Sequence, residues 1–419
     1  MDRDAGLSIA YVNYGFQSGV TERVIRALGS RGHRVASLDA VGPVEHRRKG
    51  SRRLRIDGQV LYNLAAAFAK FGRQAAHYRW NTTFAFDAHS RHAGELLAAL
   101  PAQPDVVLQA GALFAPGLPP PCRYVLLLDN TRQLAMERPP EPSVGLGAPP
   151  DYGPGWRRRE EAVYRGAWSI GTFSGRVRRS LERDYGVAPG RTHVVGAGAN
   201  VLPEVVERCH DGETILFVGT RWELKGGPVL ARAFERIRRT RPRARLVVIG
   251  PSRRPALPDG AEWLGYVPAS ELPAHFARAT VFALPTLREA FGIAFLDAMA
   301  CAVPCIGTAV EAVPEIIEHE RTGLLVPPGD DAALAASIER VLDDPALGRR
   351  MGDLGRLQVE ASYTWEHVAA RLERLLAPPA LPLLPRETSV PVLPAAAANE
   401  VVQQPVAPSA PAAAIAPPR

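Results

Sequence analysis

Residues 284–308 read LPTLREAFGIAFLDAMACAVPCIGT, and this stretch decides the fold. The apolar run that ends at Leu284 is stopped by Pro285, which is typical of a buried parallel strand. Residues 291–302 then carry apolar side chains at helical spacing, and Pro304 ends that helix before another apolar strand. The stretch therefore predicts a strand, a polar turn, a helix and a second strand, which is the repeating unit of a parallel α/β sheet.

A predicted anion site lies between this strand and this helix. Arg288 and Glu289 occupy the turn, and open α/β sheets bind ligands at the carboxyl ends of their strands. The helix N-terminus would offer the amides of Phe291, Gly292 and Ile293 to an anion. Gly292 has no side chain, so the anion can approach the backbone closely.

Two carboxylates accompany the predicted anion site. Glu289 and Asp297 are eight residues apart, a little over two helical turns, so we expect them on roughly one face of the helix. Two carboxylates beside an anion site suggest a ligand that carries both hydroxyl groups and phosphate, and a nucleotide sugar fits this description. A solvated loop Glu and an ordinary surface Asp are the alternative.

With these residues in place, the stretch resembles the Glu-x7-Glu signature of retaining family 4 glycosyltransferases with the GT-B fold. Glu289 stands at the first position, and Asp297 replaces the second Glu. The resemblance covers about residues 7–376 and is most specific over residues 217–326. It implies two doubly wound Rossmann-like α/β domains that face a cleft.

The resemblance also implies the domain bounds. Residues 1–202 would form an acceptor-binding domain, and residues 203–212 a linker. Residues 213–377 would form a donor-binding domain whose last helix crosses back to the first. Residues 378–419 are rich in Pro, Ala and Val and contain no aromatic residue, so we expect a disordered tail.

Lys225 is the most conspicuous cation of the second half. Only Lys49, Lys70 and Lys225 are lysines, so 47 of the 50 basic residues are arginines. Lys225 precedes two glycines and a predicted helix, and its compact charge on a flexible stem suits a diphosphate. Arg221 could join it, and a solvated turn lysine is the alternative. The resemblance alone adds the backbone of Tyr266 and Val267, which would read the edge of the nucleotide base.

The first half offers weaker candidates. Residues 13–19 read NYGFQSG and lack G-x-G-x-x-G, so a nicotinamide site is not supported. In the resembling family this loop faces the cleft. Gly15 and Gly19 could therefore admit the acceptor or the donor phosphates, although an ordinary strand-to-helix turn would need the same glycines. Asp129 follows a predicted strand and could orient an acceptor hydroxyl or cap the next turn.

The implied reaction is transfer of a sugar from a nucleotide-diphosphate donor to an acceptor hydroxyl, with retention at the anomeric carbon. The acceptor would be a glycan, a lipid-linked molecule or a small molecule. Lys225, Arg221 and the helix amides would neutralise the departing diphosphate, while Glu289 holds sugar hydroxyls and Asp297 holds the ribose. We expect no cofactor and no metal ion.

Two alternatives stay open at this point. One is a different enzyme on the same fold, namely an epimerase, because a phosphorylase would need a cofactor lysine near the C-terminus and the sequence has none there. The other is a protein of this fold that binds a nucleotide sugar without turnover.

Composition and charge limit the classes of binding partner and the cellular compartment that we expect. The formal charge of +7 and the pI of about 9.5 allow anionic partners. The basic run at residues 46–55 reads as a solvated loop or as a contact with anionic membrane. It does not indicate nucleic acid, because no aromatic residues interleave with its charges. Four scattered cysteines, no signal-peptide pattern and no long apolar run predict a cytoplasmic protein, either free or peripheral to the inner face of the membrane.

Overall fold

The computed structural model describes residues 6–14, 19–42, 57–138, 149–203 and 208–377. Several predictions of the sequence analysis lie outside these ranges. They are the role of Gly15, the membrane contact of residues 46–55, residues 204–207 of the linker, and the tail at residues 378–419.

A parallel sheet organises the first half of the chain. Within the described part of residues 6–203, six strands pair in the order β2-β1-β3-β4-β5-β6, and every pairing is parallel. The strands are β1 (Ser8–Asn13), β2 (Arg34–Asp39), β3 (Val106–Ala110), β4 (Tyr124–Leu128), β5 (Ser169–Thr172) and β6 (Thr192–Val194).

Helices connect these strands and cover both faces of the sheet. They are α1 (Val20–Ser30), α2 (Gly58–Phe71), α3 (Ala75–Tyr78), α4 (Thr83–Ala98), α5 (Arg132–Met136), α6 (Gly153–Gly166) and α7 (Gly175–Tyr185). Coverage of both faces follows from the alternation of side chains along a strand. Ile9 and Tyr11 point into one apolar core, while Ala10 and Val12 point into the core on the opposite face.

A second parallel sheet organises the described part of residues 208–377. Its order is β12-β11-β10-β7-β8-β9, again with parallel pairings throughout. The strands are β7 (Thr214–Val218), β8 (Arg245–Ile249), β9 (Ala261–Gly265), β10 (Val281–Leu284), β11 (Cys305–Thr308) and β12 (Gly323–Val326). The helices are α8 (Gly227–Thr240), α9 (Leu272–Arg278), α10 (Ile293–Ala300), α11 (Val313–Ile316), α12 (Asp331–Asp343), α13 (Pro345–Ser362) and α14 (Trp365–Leu376).

The last helix, α14, packs against the first half of the chain. It contacts α1 and β5, and Glu373 on α14 forms an ion pair with Arg31 just after α1. The Arg371 guanidinium donates to the carbonyl of Val195 at 3.0 Å. The chain therefore crosses between the two sheets twice, once after β6 and once at α14. None of the helices in the described ranges is both long and apolar enough to cross a membrane.

Candidate active site

The loop after β10 carries Glu289 and is fixed from several sides. Thr286 is buried, and its hydroxyl donates to the carbonyl of Arg288 at 2.8 Å. The Leu287 amide donates to the carbonyl of Leu224 at 3.0 Å, which joins this loop to the one after β7. The Thr308 hydroxyl, at the end of β11, donates to the carbonyl of Thr286. Neighbouring strand ends therefore hold the turn that presents Glu289.

A close backbone approach brings Lys225 to this turn. Gly226 has a φ of 75°, and a Cβ at this position would lie 1.8 Å from the carbonyl oxygen of Pro285. Only glycine combines that φ with that contact. At Gly227 a Cβ would lie 2.1 Å from the ring of Trp222, which is itself buried. The pair of glycines therefore allows the Lys225 loop to lie directly against the end of β10.

Lys225 and Glu289 form a direct ion pair at this junction. The exposed fractions of the two side chains are 21% for Lys225 and 11% for Glu289. Both groups are therefore partly accessible but largely shielded from bulk solvent. A charge interaction is stronger in such a place than at an open surface. The structure brings together the two residues on which the sequence-based site depended.

The N-terminus of α10 lies beside this pair, although the predicted helix starts too early. Gly292 precedes α10 with a φ of 118°, which is not helical, so α10 begins at Ile293 and ends at Ala300. The prediction that Glu289 and Asp297 share a helical face is therefore wrong, because Glu289 lies on the loop. Among the described residues, no acceptor bonds the amides of Phe291, Gly292 and Ile293.

Asp297 is directed towards the junction of the two halves. It is buried, and its Oδ1 accepts from the amides of Asn200 and Val201 at 2.6 Å and 2.9 Å. Burial raises the pKa of Asp297 to about 7, and the two amides oppose that shift. One carboxylate oxygen is thus committed to the chain, and the ribose contact stays a prediction.

Charges of the first half and of the second half influence one another near this site. Asp129 directly follows β4 and is exposed to solvent. The Glu289 carboxylate and the Arg138 guanidinium act on its charge in opposite directions. Burial, and then the charge of Arg221, lowers the pKa of His77 at α3. These electrostatic effects mean that Asp129 stands near Glu289 and that Arg221 stands near the first half.

The remaining predicted residues lie at the carboxyl edges of the sheets. Tyr266 is 70% exposed and Val267 is half-buried, on the loop that follows the edge strand β9. Gly19 precedes α1 with a φ of 78°, and a Cβ there would lie 3.8 Å from the side chain of Asn200. The conformation of Gly19 meets the need of a strand-to-helix turn, and a role in binding phosphate or acceptor stays a prediction.

Glu311 is a site residue that the sequence analysis missed. Its Oε2 accepts from the Glu289 amide at 2.5 Å, and its Oε1 accepts from Nε of Arg138 at 2.5 Å. Glu311 follows β11, which neighbours β10 in the sheet. The strand-end argument that selected Glu289 applies equally to Glu311 and could have found it.

This arrangement suits an anionic ligand that also carries hydroxyl groups. Lys225 and the amides before α10 can meet negative charge, and the Glu289 carboxylate can accept from hydroxyl groups beside it. In the described ranges, no cluster of three or more His, Cys, Asp or Glu side chains is arranged to hold a metal ion. All four cysteines are free thiols, with Cys301 and Cys305 buried.

Comparison with solved structures identifies the fold. Sucrose-phosphate synthase from Thermosynechococcus elongatus superposes with a TM-score of 0.63 at 20% identity, over 88% of this chain and 97% of that one. HepE from Anabaena, solved with UDP and glucose, superposes with a TM-score of 0.58 at 12% identity, over 88% and 99%. The chain has the GT-B fold of two facing α/β sheets, as the sequence analysis predicted.

Sequence comparison identifies the family. Residues 212–344 match the family model described as glycosyl transferases group 1, so this part of the chain carries a domain of that type. A D-inositol 3-phosphate glycosyltransferase from Pseudarthrobacter chlorophenolicus is 32% identical over 215 residues, which is 48% of this chain and 46% of the relative. A GDP-mannose-dependent alpha-(1-6)-phosphatidylinositol monomannoside mannosyltransferase from Mycobacterium tuberculosis is 34% identical over 192 residues, 41% and 50% respectively. The matched part spans about half the length of these relatives.

Proposed function

We propose that this chain is a retaining family 4 glycosyltransferase that moves a hexosyl group from a nucleotide-diphosphate donor to an acceptor hydroxyl. The observation that carries the proposal is the Lys225–Glu289 ion pair beside the N-terminus of α10. A departing diphosphate needs cations and amide donors, and the sugar next to it needs an acceptor for its hydroxyl groups. The cation, the amide donors and the carboxylate lie together at the carboxyl edge of the second sheet, which supports the proposal.

The proposed step uses each residue in a separate role. The bond from the anomeric carbon to the diphosphate breaks, the acceptor oxygen bonds to that carbon, and the acceptor proton leaves with the diphosphate. Lys225, Arg221 and the amides of the α10 N-terminus stabilise the charge that develops on the leaving group. Glu289 orients the sugar. Asp129, which stands near Glu289, orients the acceptor hydroxyl.

The remaining donor contacts are proposed from the family resemblance. Backbone groups of Tyr266 and Val267 would contact the base, and Asp297 would approach the ribose with the oxygen that is not committed to Asn200 and Val201. The names of the relatives suggest acceptors that carry an inositol phosphate or an inositol lipid. Lipid-linked acceptors would give the basic run at residues 46–55 a function at an anionic membrane surface.

A donor panel tests the proposal directly. The chain is incubated with UDP-glucose, UDP-N-acetylglucosamine or GDP-mannose, with and without inositol 3-phosphate. Thermal protection, release of nucleoside diphosphate and the anomeric configuration of the product are measured. We expect one donor to raise Tm and to be hydrolysed slowly. We also expect an α-linked donor to give an α-linked product. A product of inverted anomeric configuration would refute retention. Thermal protection without release of nucleoside diphosphate would favour a protein that binds the nucleotide sugar without turnover.

Two variants test the site itself. Glu289→Gln and Lys225→Met should each lower kcat by about 10²–10³-fold, the cost of removing one electrostatic contact to a transition state, while Tm changes little. Glu360→Gln is the matched control. Glu360 also pairs with a basic side chain, that of Arg356, but on the exposed face of α13. Wild-type turnover in either site variant would refute the site assignment.

A further inference from the structure

Glu311 combines an unfavourable backbone conformation with two contacts that a smaller residue could not make. Its φ is 49°, in the left-handed region that glycine adopts far more easily. Its side chain is only 9% exposed. A carboxylate is therefore held, at a backbone cost, in a place where glycine would be unstrained, which points to a role for the carboxylate itself.

The two contacts of Glu311 reach different halves of the chain. On its own side, Oε2 accepts from the amide of Glu289 at 2.5 Å. Across the cleft, Arg138 donates through Nε to Oε1 at 2.5 Å and through a second nitrogen to Oε2 at 3.3 Å. Such a two-pronged arginine–carboxylate contact fixes the orientation of the carboxylate as well as its distance.

We propose that Glu311 is a positioning residue that transmits closure of the two halves to Glu289. When Arg138 engages the carboxylate, the second oxygen is held against the Glu289 amide, and the backbone of the sugar-binding residue is fixed. When the halves separate, Arg138 leaves and the Glu289 loop loses that constraint. The sugar is therefore held in the reactive orientation only in the closed state. This inference rests on the proposed function, because it assigns Glu289 to the donor sugar.

Other charges around Glu311 support a role for its negative charge. The pKa of Arg288 is lowered by burial and then by Arg138, with Glu311 opposing the shift. The pKa of Arg176 is lowered by burial, and Glu311 is the largest opposing influence. Arg138 contacts the Glu311 carboxylate directly, and the negative charge of Glu311 also acts on Arg176 and Arg288. Removal of that carboxylate would leave Arg138, Arg176 and Arg288 to repel one another as the halves close.

The experiment compares Glu311→Gly, Glu311→Gln and Arg138→Gln. Glu320→Gly is a matched control, because Glu320 also has a positive φ, of 64°, and a two-pronged contact with an arginine, Arg340, but on the surface. Hydrogen–deuterium exchange of the segment 285–291 is followed in the ligand-free chain. In parallel, kcat is measured with the donor that the panel identifies, and the Kd of the matching nucleoside diphosphate is measured by calorimetry.

All three cleft variants should speed exchange of segment 285–291, and the control should not. Turnover should fall by up to about 10²-fold, the effect of a small misplacement at a reacting centre, while the Kd of the nucleoside diphosphate stays within about twofold. If Arg138→Gln leaves both exchange and kcat unchanged, transmission across the cleft is refuted. Absence of turnover with every donor would refute the proposed function, whereas the exchange measurement would still decide whether Arg138 acts on the Glu289 loop.

Discussion

Asp297 is a buried carboxyl group at the junction of the two halves of the chain. Its partner Asn200 also accepts from Arg23 through its carbonyl at 2.8 Å and from the Trp365 indole through its side chain at 3.2 Å. These contacts come from α1 and α14, which pack together. Asp297 therefore sits at the point where the chain leaves the first sheet and where α14 returns to it. Its buried position favours the neutral carboxylic acid.

Protonation of Asp297 should make stability depend on pH. The pKa is about 7 in the folded chain and about 3.9 in an unfolded one. Between these values the folded chain binds more protons, so the free energy of unfolding falls as pH rises from about 4 to about 7. Asp297→Asn keeps an oxygen for the two amides and removes the titration. Relative to wild type, the variant should gain up to about 4 kcal/mol across this window, measured by urea unfolding at pH 4, 5, 6, 7 and 8. Parallel pH profiles would contradict this assignment.

At the scale of elements, local sequence patterns were enough to predict several strands, a helix and two site residues. β7, β10 and the α10 region follow from short apolar runs bounded by Pro and Gly. The strand-end rule selected Glu289, the two glycines before a helix selected Lys225, and the structure pairs the two residues. Contacts across the cleft have no local pattern. The partners of Asp297 and Glu311 lie 97 and 173 residues away in the sequence, at Asn200 and Arg138, so no pattern within one element could predict them.

Helix α13, at Pro345–Ser362, was not predicted at all. Gly348, Gly352 and Gly355 interrupt its pattern, and interior glycines lower helix propensity. In the fold these glycines lie on one face. A Cβ at Gly352 would lie 2.1 Å from the carbonyl oxygen of Ala302, and one at Gly355 would lie 3.1 Å from Met299. Close packing against α10 therefore requires the residues that obscure the helix in the sequence.

The loop before α8 depends on glycine in a way that a substitution can test. Gly226→Ala would place a methyl group 1.8 Å from the Pro285 carbonyl oxygen in addition to the strain of a φ of 75°. The loop must shift, and Lys225 then moves away from Glu289. Backbone strain alone costs about 1–3 kcal/mol, and we expect the free energy of unfolding, measured with urea, to fall by more than that. In the donor assay, kcat should fall as it does in Lys225→Met.

Gly329→Ala separates the effect of backbone strain from the effect of the clash with Pro285. Gly329 has a φ of 80°, but no atom lies within 4 Å of the place that an alanine methyl group would occupy, so its substitution carries only the backbone strain. This control should lose about 1–3 kcal/mol of stability and keep wild-type turnover. Equal turnover in Gly226→Ala and Gly329→Ala would show that the approach to Pro285 does not position Lys225.

At the scale of the whole molecule, carboxylates of the second half bind groups of the first. Glu315 on α11 accepts from the amides of Gly175 and Arg176 at 2.6 Å and 2.8 Å. These amides form the N-terminus of α7, where the helix dipole favours an anion. Glu311, which lies a few residues before Glu315, accepts from Arg138 of the first half. The arrangement of the two halves is therefore stabilised by specific charged contacts between them.

Loss of the Glu315 contact should open the cleft. Glu315→Ala leaves two amides of α7 without their acceptor and removes an interaction of about 1 kcal/mol with the helix dipole. Small-angle X-ray scattering of the ligand-free variant should show a larger radius of gyration than the wild type. The donor identified by the panel should reverse much of the increase, because the closed state holds Glu289, the proposed sugar ligand, in place and the donor therefore favours that state. The Kd of the nucleoside diphosphate alone should change little, because its proposed contacts lie in the second half.

Glu318→Ala is the matched control for this measurement. Glu318 follows α11, and its carboxylate pairs with Arg321 of the same half at the surface. Its removal changes the net charge as Glu315→Ala does, so any effect of charge on scattering is shared by the two variants. A larger radius in Glu315→Ala alone would assign closure to the bond with α7. Equal radii in the two variants would mean that α14 and the chain crossing after β6 hold the halves together without Glu315.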